Sequence, residues 1–167
     1  MRTSGGCELR AFHVARPSRV QLICLFVAGA LRAALPTSEL TLAWTHSVEK
    51  TRWEEDYRVD GDGLRLVVAR IQGSGAGMDP PPDAVLRDGY WTWHPYTAPF
   101  RELRLTLSSY VADYELCWRG RCATLRQLVA PRDDARSAVR DMRIASEVVA
   151  VRPCDGGTIS LPRGGRE

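Results

Sequence analysis

The sequence predicts a mainly β protein: one antiparallel β-sandwich or open β-barrel of about seven short strands, preceded by a signal or anchor segment. Two observations carry that fold class. Apolar residues recur at period two in several short runs, the alternation of strands with one face buried. Asp-Gly and Arg-Gly steps separate several of those runs, and such dipeptides suit the positive φ angles of tight hairpin turns. A third observation sets the first 35 residues apart, because their composition differs from everything that follows.

Residues 1–35 hold Arg2, Arg10, Arg16 and Arg19, then the apolar run "VQLICLFVAGAL" at 20–31, then small residues up to Pro36. That shape predicts a secretory leader, with Ala28-Gly29-Ala30 or Ala33-Ala34 before the cleavage point. An uncleaved anchor through residues 20–31 is the alternative, although Arg32 closes the run well short of the roughly 20 residues a membrane helix needs. On this reading residues 1–35 lie outside the fold, residues 36–154 form the β-rich domain, and residues 155–167 are a flexible tail. Charge supports the division. The chain has 23 basic and 20 acidic side chains, but five of the basic ones and a single acidic one, Glu8, lie in the leader. The remainder is slightly acidic, so neither a nucleic-acid surface nor steering by a large single-sign field is expected.

The stretch "LTLAWTHSVEKTRWEEDYRV" at 40–59 reads as a hairpin. Leu40, Leu42, Trp44, His46 and Val48 alternate with Thr41, Ala43, Thr45 and Ser47, while Trp53, Glu55, Tyr57 and Val59 alternate with Glu54, Asp56 and Arg58. A connection of four residues, Glu49 to Arg52, would place Trp44 opposite Tyr57 and His46 opposite Glu55. "DGDG" at 60–63 starts a second hairpin. Centred on Asp62-Gly63, it puts Glu55 opposite Arg70 and continues the same face through Leu64, Leu66 and Val68. The expectation is a row of His46, Glu55 and Arg70 across three strands. Charged groups on an apolar face usually persist by pairing, so the row can simply fix register. A His beside a carboxylate can also tune a proton or hold a ligand.

"QGSGAGMDPPPD" at 72–83 is a glycine-rich loop with Gly73, Gly75 and Gly77. It does not fit a dinucleotide fingerprint: Met78 stands where the last glycine would, and three prolines follow without the amide donors of a phosphate cradle. "RDGYWTWHP" supplies another turn and a short strand that points Trp91 and Trp93 to one face, for core packing or for stacking on a ligand. Residues 100–107, alternating through Leu103, Leu105 and Leu107, and residues 114–118 are further strands. In "CWRGRC", a two-residue turn at Arg119-Gly120 makes Cys117 face Cys122, close enough for a structural disulfide in an oxidising compartment. The pairing leaves the partner of Cys154 open. A brief helical turn is expected at 125–129, a linker or marginal helix at 132–143 and a last strand at 147–151.

"AWTHSVEKTRWEEDYRV", "GSGAGM" with its prolines, "RDGYWTW" and the Cys-Trp-x-Gly-x-Cys hairpin together resemble a family of bacterial exported proteins called domain of unknown function 1850. The resemblance spans residues 40–128, with Pro153-Cys154 similar to the family's closing pair. It implies a small secreted or membrane-anchored protein of the Gram-negative periplasm, encoded beside tripartite ATP-independent periplasmic transporters with TAXI-type receptors, and an accessory role in solute uptake. It brings no catalytic residue. The motif positions it maps are His46, Ser47, Glu49, Lys50, Glu54, Glu55, Gly75 and Gly77. The long leader and residues 132–143 depart from the family pattern.

Two function classes follow. The first is a binding or accessory module contacting a solute or a membrane transporter component through His46, Glu49, Glu54, Glu55, Arg70, Gly75 and Gly77. The second is a hydrolase or metal-dependent enzyme centred on His46 and Glu55. His46 and Glu49 would point to opposite faces of a strand, Ser47 points away from His46, and a metal would need further ligands beyond His94. No catalytic set, metal site or cofactor is therefore assigned.

Overall fold

A computed structural model describes residues 21–73, 79–130 and 147–155. Eleven strands lie among the described residues: β1 (Gln21–Val27), β2 (Ala30–Leu35), β3 (Glu39–Thr45), β4 (Arg52–Asp60), β5 (Gly63–Gln72), β6 (Val85–Arg87), β7 (Tyr90–Trp93), β8 (Leu103–Leu107), β9 (Glu115–Trp118), β10 (Arg121–Thr124) and β11 (Glu147–Asp155). One short helix, α1 (Leu125–Val129), follows β10. The strands form two antiparallel sheets, β2-β1-β11-β8 and β10-β9-β3-β4-β5-β7-β6. The two are not closed into a barrel, and the arrangement is sandwich-like, with more strands than the sequence suggested.

Local chemistry explains most of the hairpins. Asp88-Gly89 and Arg119-Gly120 have positive φ at both positions, as type I′ turns require. Ala28-Gly29 does the same between β1 and β2. The β4–β5 turn is centred on Gly61-Asp62, one residue earlier than expected, with positive φ only at Gly61. The next glycine has a different use. A Cβ on Gly63 would lie 2.8 Å from the Phe100 carbonyl oxygen, where Leu64 and Phe100 bridge. Helix α1 begins with a capping box, Thr124 and Gln127 each accepting from the other's backbone N–H.

Alternate residues of each sheet fill the core between them. Ile23, Leu25, Val149, Val151, Leu103 and Leu105 come from the smaller sheet. Leu40, Leu42, Tyr57, Val59, Leu64, Leu66 and Leu116 come from the larger, and Leu125 and Val129 of α1 close one side. Each fully buried aliphatic side chain contributes about 1.5–3 kcal/mol, so this cluster is what holds the sheets together.

Residues 21–35, expected to lie outside the fold as a leader or anchor, are paired strands in the smaller sheet. They are the β1–β2 hairpin, with β1 in the middle of the smaller sheet, paired to β11 from Gln21↔Asp155 to Val27↔Val149. Ile23 and Leu25 have no exposed surface, and Cys24 forms a disulfide with Cys154. A short apolar run has the same composition whether it serves as an export segment or as a central strand, so hydropathy alone does not tell the two apart. Residues 1–20 and 156–167 and the 132–143 linker lie outside the described residues. No helix among the described residues is long and apolar enough to cross a membrane.

Candidate functional site

The motif at 45–55 falls on β3, the loop after it, and β4, and the structure divides its residues among three environments. Two register corrections cause the division. β3 ends at Thr45, and Trp44 pairs with Trp53, Leu42 with Glu55 and Leu40 with Tyr57. The expected register is therefore displaced by four residues, an even shift that keeps every side chain on its expected face but takes His46 out of the strand. On β5, Leu66 opposes Tyr57 whereas Val68 opposes Asp56, so Val67 is an extra residue, a β-bulge. One extra residue reverses the alternation beyond it. Arg70 then opposes Glu54 instead of Glu55 and lies on the outer face of the sheet. The expected row of His46, Glu55 and Arg70 does not form.

What forms on the outer face is a longer ionic chain. Arg70 donates both terminal guanidinium nitrogens to Asp56, at 2.8 and 2.6 Å, and Nε to Glu54 at 3.1 Å. Glu54 also accepts from Arg52 Nε at 2.9 Å, and Arg52 donates to Glu115 at 2.7 Å. The Thr41 hydroxyl donates to Asp56 at 2.7 Å. The chain Glu115–Arg52–Glu54–Arg70–Asp56–Thr41 thus ties β9, β4, β5 and β3 together. Burial pushes the Glu54 carboxyl up, but the hydrogen bonds from Arg52 and Arg70 outweigh it and hold the group below its ordinary range. Arg52, Asp56, Thr41 and Glu115 were not singled out from the sequence, although Arg52, Glu54 and Asp56 at period two on one face of β4 are the signal that could have found them.

Glu55 lies on the opposite, inner face between Leu42 and Ala69. Its partner is the Tyr57 hydroxyl, which donates to Oε2 at 2.6 Å. Burial raises the Glu55 carboxyl above its ordinary value, and the Tyr57 hydrogen bond only partly offsets that. Around it Trp44 and Trp53 stack with ring centroids 5.8 Å apart, and Tyr114 meets Trp44 at 6.2 Å. Trp93 and Trp91 sit opposite Ala69 and Ile71, so they pack on the sheet and are half-buried. His94 donates from Nδ1 to the Val67 carbonyl at 3.0 Å, satisfying the bulge. Pro95, next in that ladder, has no N–H to offer.

His46, Ser47, Glu49 and Lys50 belong to the loop. His46 N–H donates to the Thr51 carbonyl at 2.9 Å, and Lys50 N–H to the His46 carbonyl at 3.0 Å, so residues 46–50 close a single five-residue turn. Glu49 N–H donates to His46 Nδ1 at 3.4 Å, and Lys50 Nζ to the Ser47 carbonyl at 2.7 Å. Lys50 has φ +56°, a left-handed conformation that costs a non-glycine residue about 1 kcal/mol. The result is a loop braced by its own hydrogen bonds whose tip residue, Val48, is 75% exposed.

The remaining assigned positions fall elsewhere. Gly75 and Gly77 lie outside the described residues. Cys117 and Cys122 face each other across the Arg119-Gly120 turn, with Cα atoms 4.0 Å apart, and form a disulfide. Glu115 lies near both sulfurs, but sulfurs bonded to each other supply no thiolate for a metal.

Comparison with known proteins gives one match. The family described as Domain of unknown function (DUF1850) matches residues 40–125, which run from β3 to the first residue of α1. No curated protein and no solved structure matches the chain. The matched stretch covers just over half of the chain and contains the braced loop, the ionic chain and the Cys117–Cys122 hairpin, and on it the chain belongs to the DUF1850 family.

Proposed function

We propose that this protein is an extracytoplasmic accessory domain of a tripartite solute transporter, and that it docks on a membrane component of that system through the loop at 46–50. The observation that carries the reading is how the motif divides. Arg52, Glu54, Asp56 and Arg70 satisfy one another on the outer face, and Glu55 is taken by Tyr57, whereas Ser47, Val48, Glu49 and Lys50 are exposed on a braced turn. A loop ordered before contact loses less entropy on binding, and an exposed valine followed by Glu49 and Lys50 offers both an apolar anchor and a polar rim. The two disulfides favour an oxidising compartment, the periplasm of the resemblance described above. The enzyme reading loses its pair, because Glu55 faces Leu42 and His46 is in the loop.

Two substitutions test docking without disturbing the sheets. Val48→Asp removes the anchor, and Lys50→Gly removes the ammonium while suiting the positive φ. Both variants are expected to keep the wild-type Tm or exceed it and to lose binding to transporter-containing membrane vesicles by about tenfold or more. Wild-type binding by both variants would overturn the proposal.

A further inference from the structure

At the far end of β4 from this loop, a groove of about 710 Å³ runs between the Gly61-Asp62 turn and the outer face of the β1–β11 pair. Small-molecule sites typically occupy about 300–1,000 Å³. Its apolar wall includes Leu22, Phe26, Leu31 and Pro153, and its basic groups are Arg101 and Arg152.

Arg152 is held in a defined orientation. Its guanidinium carbon lies 4.3 Å from the centroid of the Phe26 ring, a cation–π contact. Its backbone is opposite Cys24 in the ladder, and the Cys24–Cys154 disulfide fastens β1 to β11 two residues further on. Ion pairs elsewhere on the domain join arginines to carboxylates, as Arg58 to Glu39 and Arg65 to Asp60. Among the described residues Arg152 and Arg101 have no such partner, although Asp62 and Asp155 line the same groove. Asp155 is already engaged in an interaction of its own. A guanidinium fixed at its face by an aromatic ring keeps its N–H edge for a planar anion, and carboxylate is the geometric match.

We propose that this groove binds a small organic acid with an apolar body, the carboxylate on Arg152 and the apolar part against Leu22, Phe26 and Leu31. The inference is independent of loop docking, since the two surfaces lie at opposite ends of β4 and either can fail without the other.

Titration of the full chain with octanoate, octan-1-ol and octylammonium, followed by calorimetry and by ligand-observed NMR, tests it. Octanoate is expected to bind, with the alcohol about tenfold or more weaker and the ammonium weaker still. Arg152→Gln is expected to lower octanoate affinity to that of the alcohol while leaving the alcohol unchanged, and Arg152→Lys to recover part of the difference. Circular dichroism of the variants would establish that both are folded, as expected for an exposed side chain. Equal binding of acid and alcohol, unchanged octanoate affinity in Arg152→Gln, or no octanoate binding at about 1 mM would each overturn the proposal.

Discussion

Replacing Arg70 by Met leaves the aliphatic stem in place and removes the guanidinium at the centre of the outer-face chain. Asp56 then loses both of its short hydrogen bonds from Arg70 and keeps only Thr41, while Glu54 keeps Arg52. The Arg70 and Asp56 side chains are 25% and 28% exposed, between the surface case and the buried one. Exposed pairs contribute about 0–1 kcal/mol, and breaking a buried pair costs about 3–5 kcal/mol. About 2 kcal/mol is the expected loss for Arg70→Met at about pH 7, a fall in Tm of roughly 5–10 °C for a domain of this size.

The pH dependence has a definite sign. The Glu54 carboxyl is depressed in the folded state, so its contribution is present above its unfolded pKa of about 4.3 and is lost as pH falls through the lower folded value. The gap between wild type and Arg70→Met is therefore expected to narrow steadily on acidification below about pH 4. Urea unfolding at several pH values measures this, and a double-mutant cycle with Asp56→Asn should return a coupling energy of about 1 kcal/mol. A loss below about 0.5 kcal/mol, or one that does not change with pH, would refute the reasoning.

Other expectations concern the inner face and the disulfides. In Glu55 the carboxyl is raised by burial, so the stability it supports is present at low pH and lost as pH rises through the folded value. Glu55→Gln, which can still accept from Tyr57, should be more stable than wild type at about pH 8 and equal to it at about pH 4; a thermal-melt series showing the reverse order would contradict the assignment. The Cys24–Cys154 disulfide closes a separation of 130 residues and Cys117–Cys122 one of five. Loop-closure entropy then gives about 5 and about 2 kcal/mol, so removing the first pair by Cys→Ala substitution should cost clearly more denaturant resistance than removing the second. Equal losses would mean that β1 is not tied into the sheet.

How much of this could be read from the sequence depended on how local the cause was. The turns at Asp88-Gly89 and Arg119-Gly120 were legible because positive φ is a property of one or two residues, and the Cys117–Cys122 pairing followed from the second of them. Face assignments on β3 and β4 were legible too, because any even change of register preserves parity. Register itself was not. It depends on the loop after Thr45, where Lys50 takes a left-handed conformation that its residue type does not advertise. The bulge at Val67 exists only in the pairing of β5 with β4, so Arg70 could not be placed beside Glu54 and Asp56 from period-two counting. β1 was not legible as a strand because Ile23, Leu25 and Val27 need a partner strand at the far end of the chain, β11, before their apolar run can be recognised as core.

Non-reducing peptide mapping by mass spectrometry, on protein recovered gently from the periplasmic fraction, bears on both compartment and fold in one experiment. The structure predicts two linked peptide pairs, Cys24 with Cys154 and Cys117 with Cys122, on a chain that retains residues 21–35. A periplasmic chain starting beyond residue 30 with Cys154 as a free thiol would contradict it, as would a cytoplasmic chain in which Cys24, Cys117, Cys122 and Cys154 are all reduced.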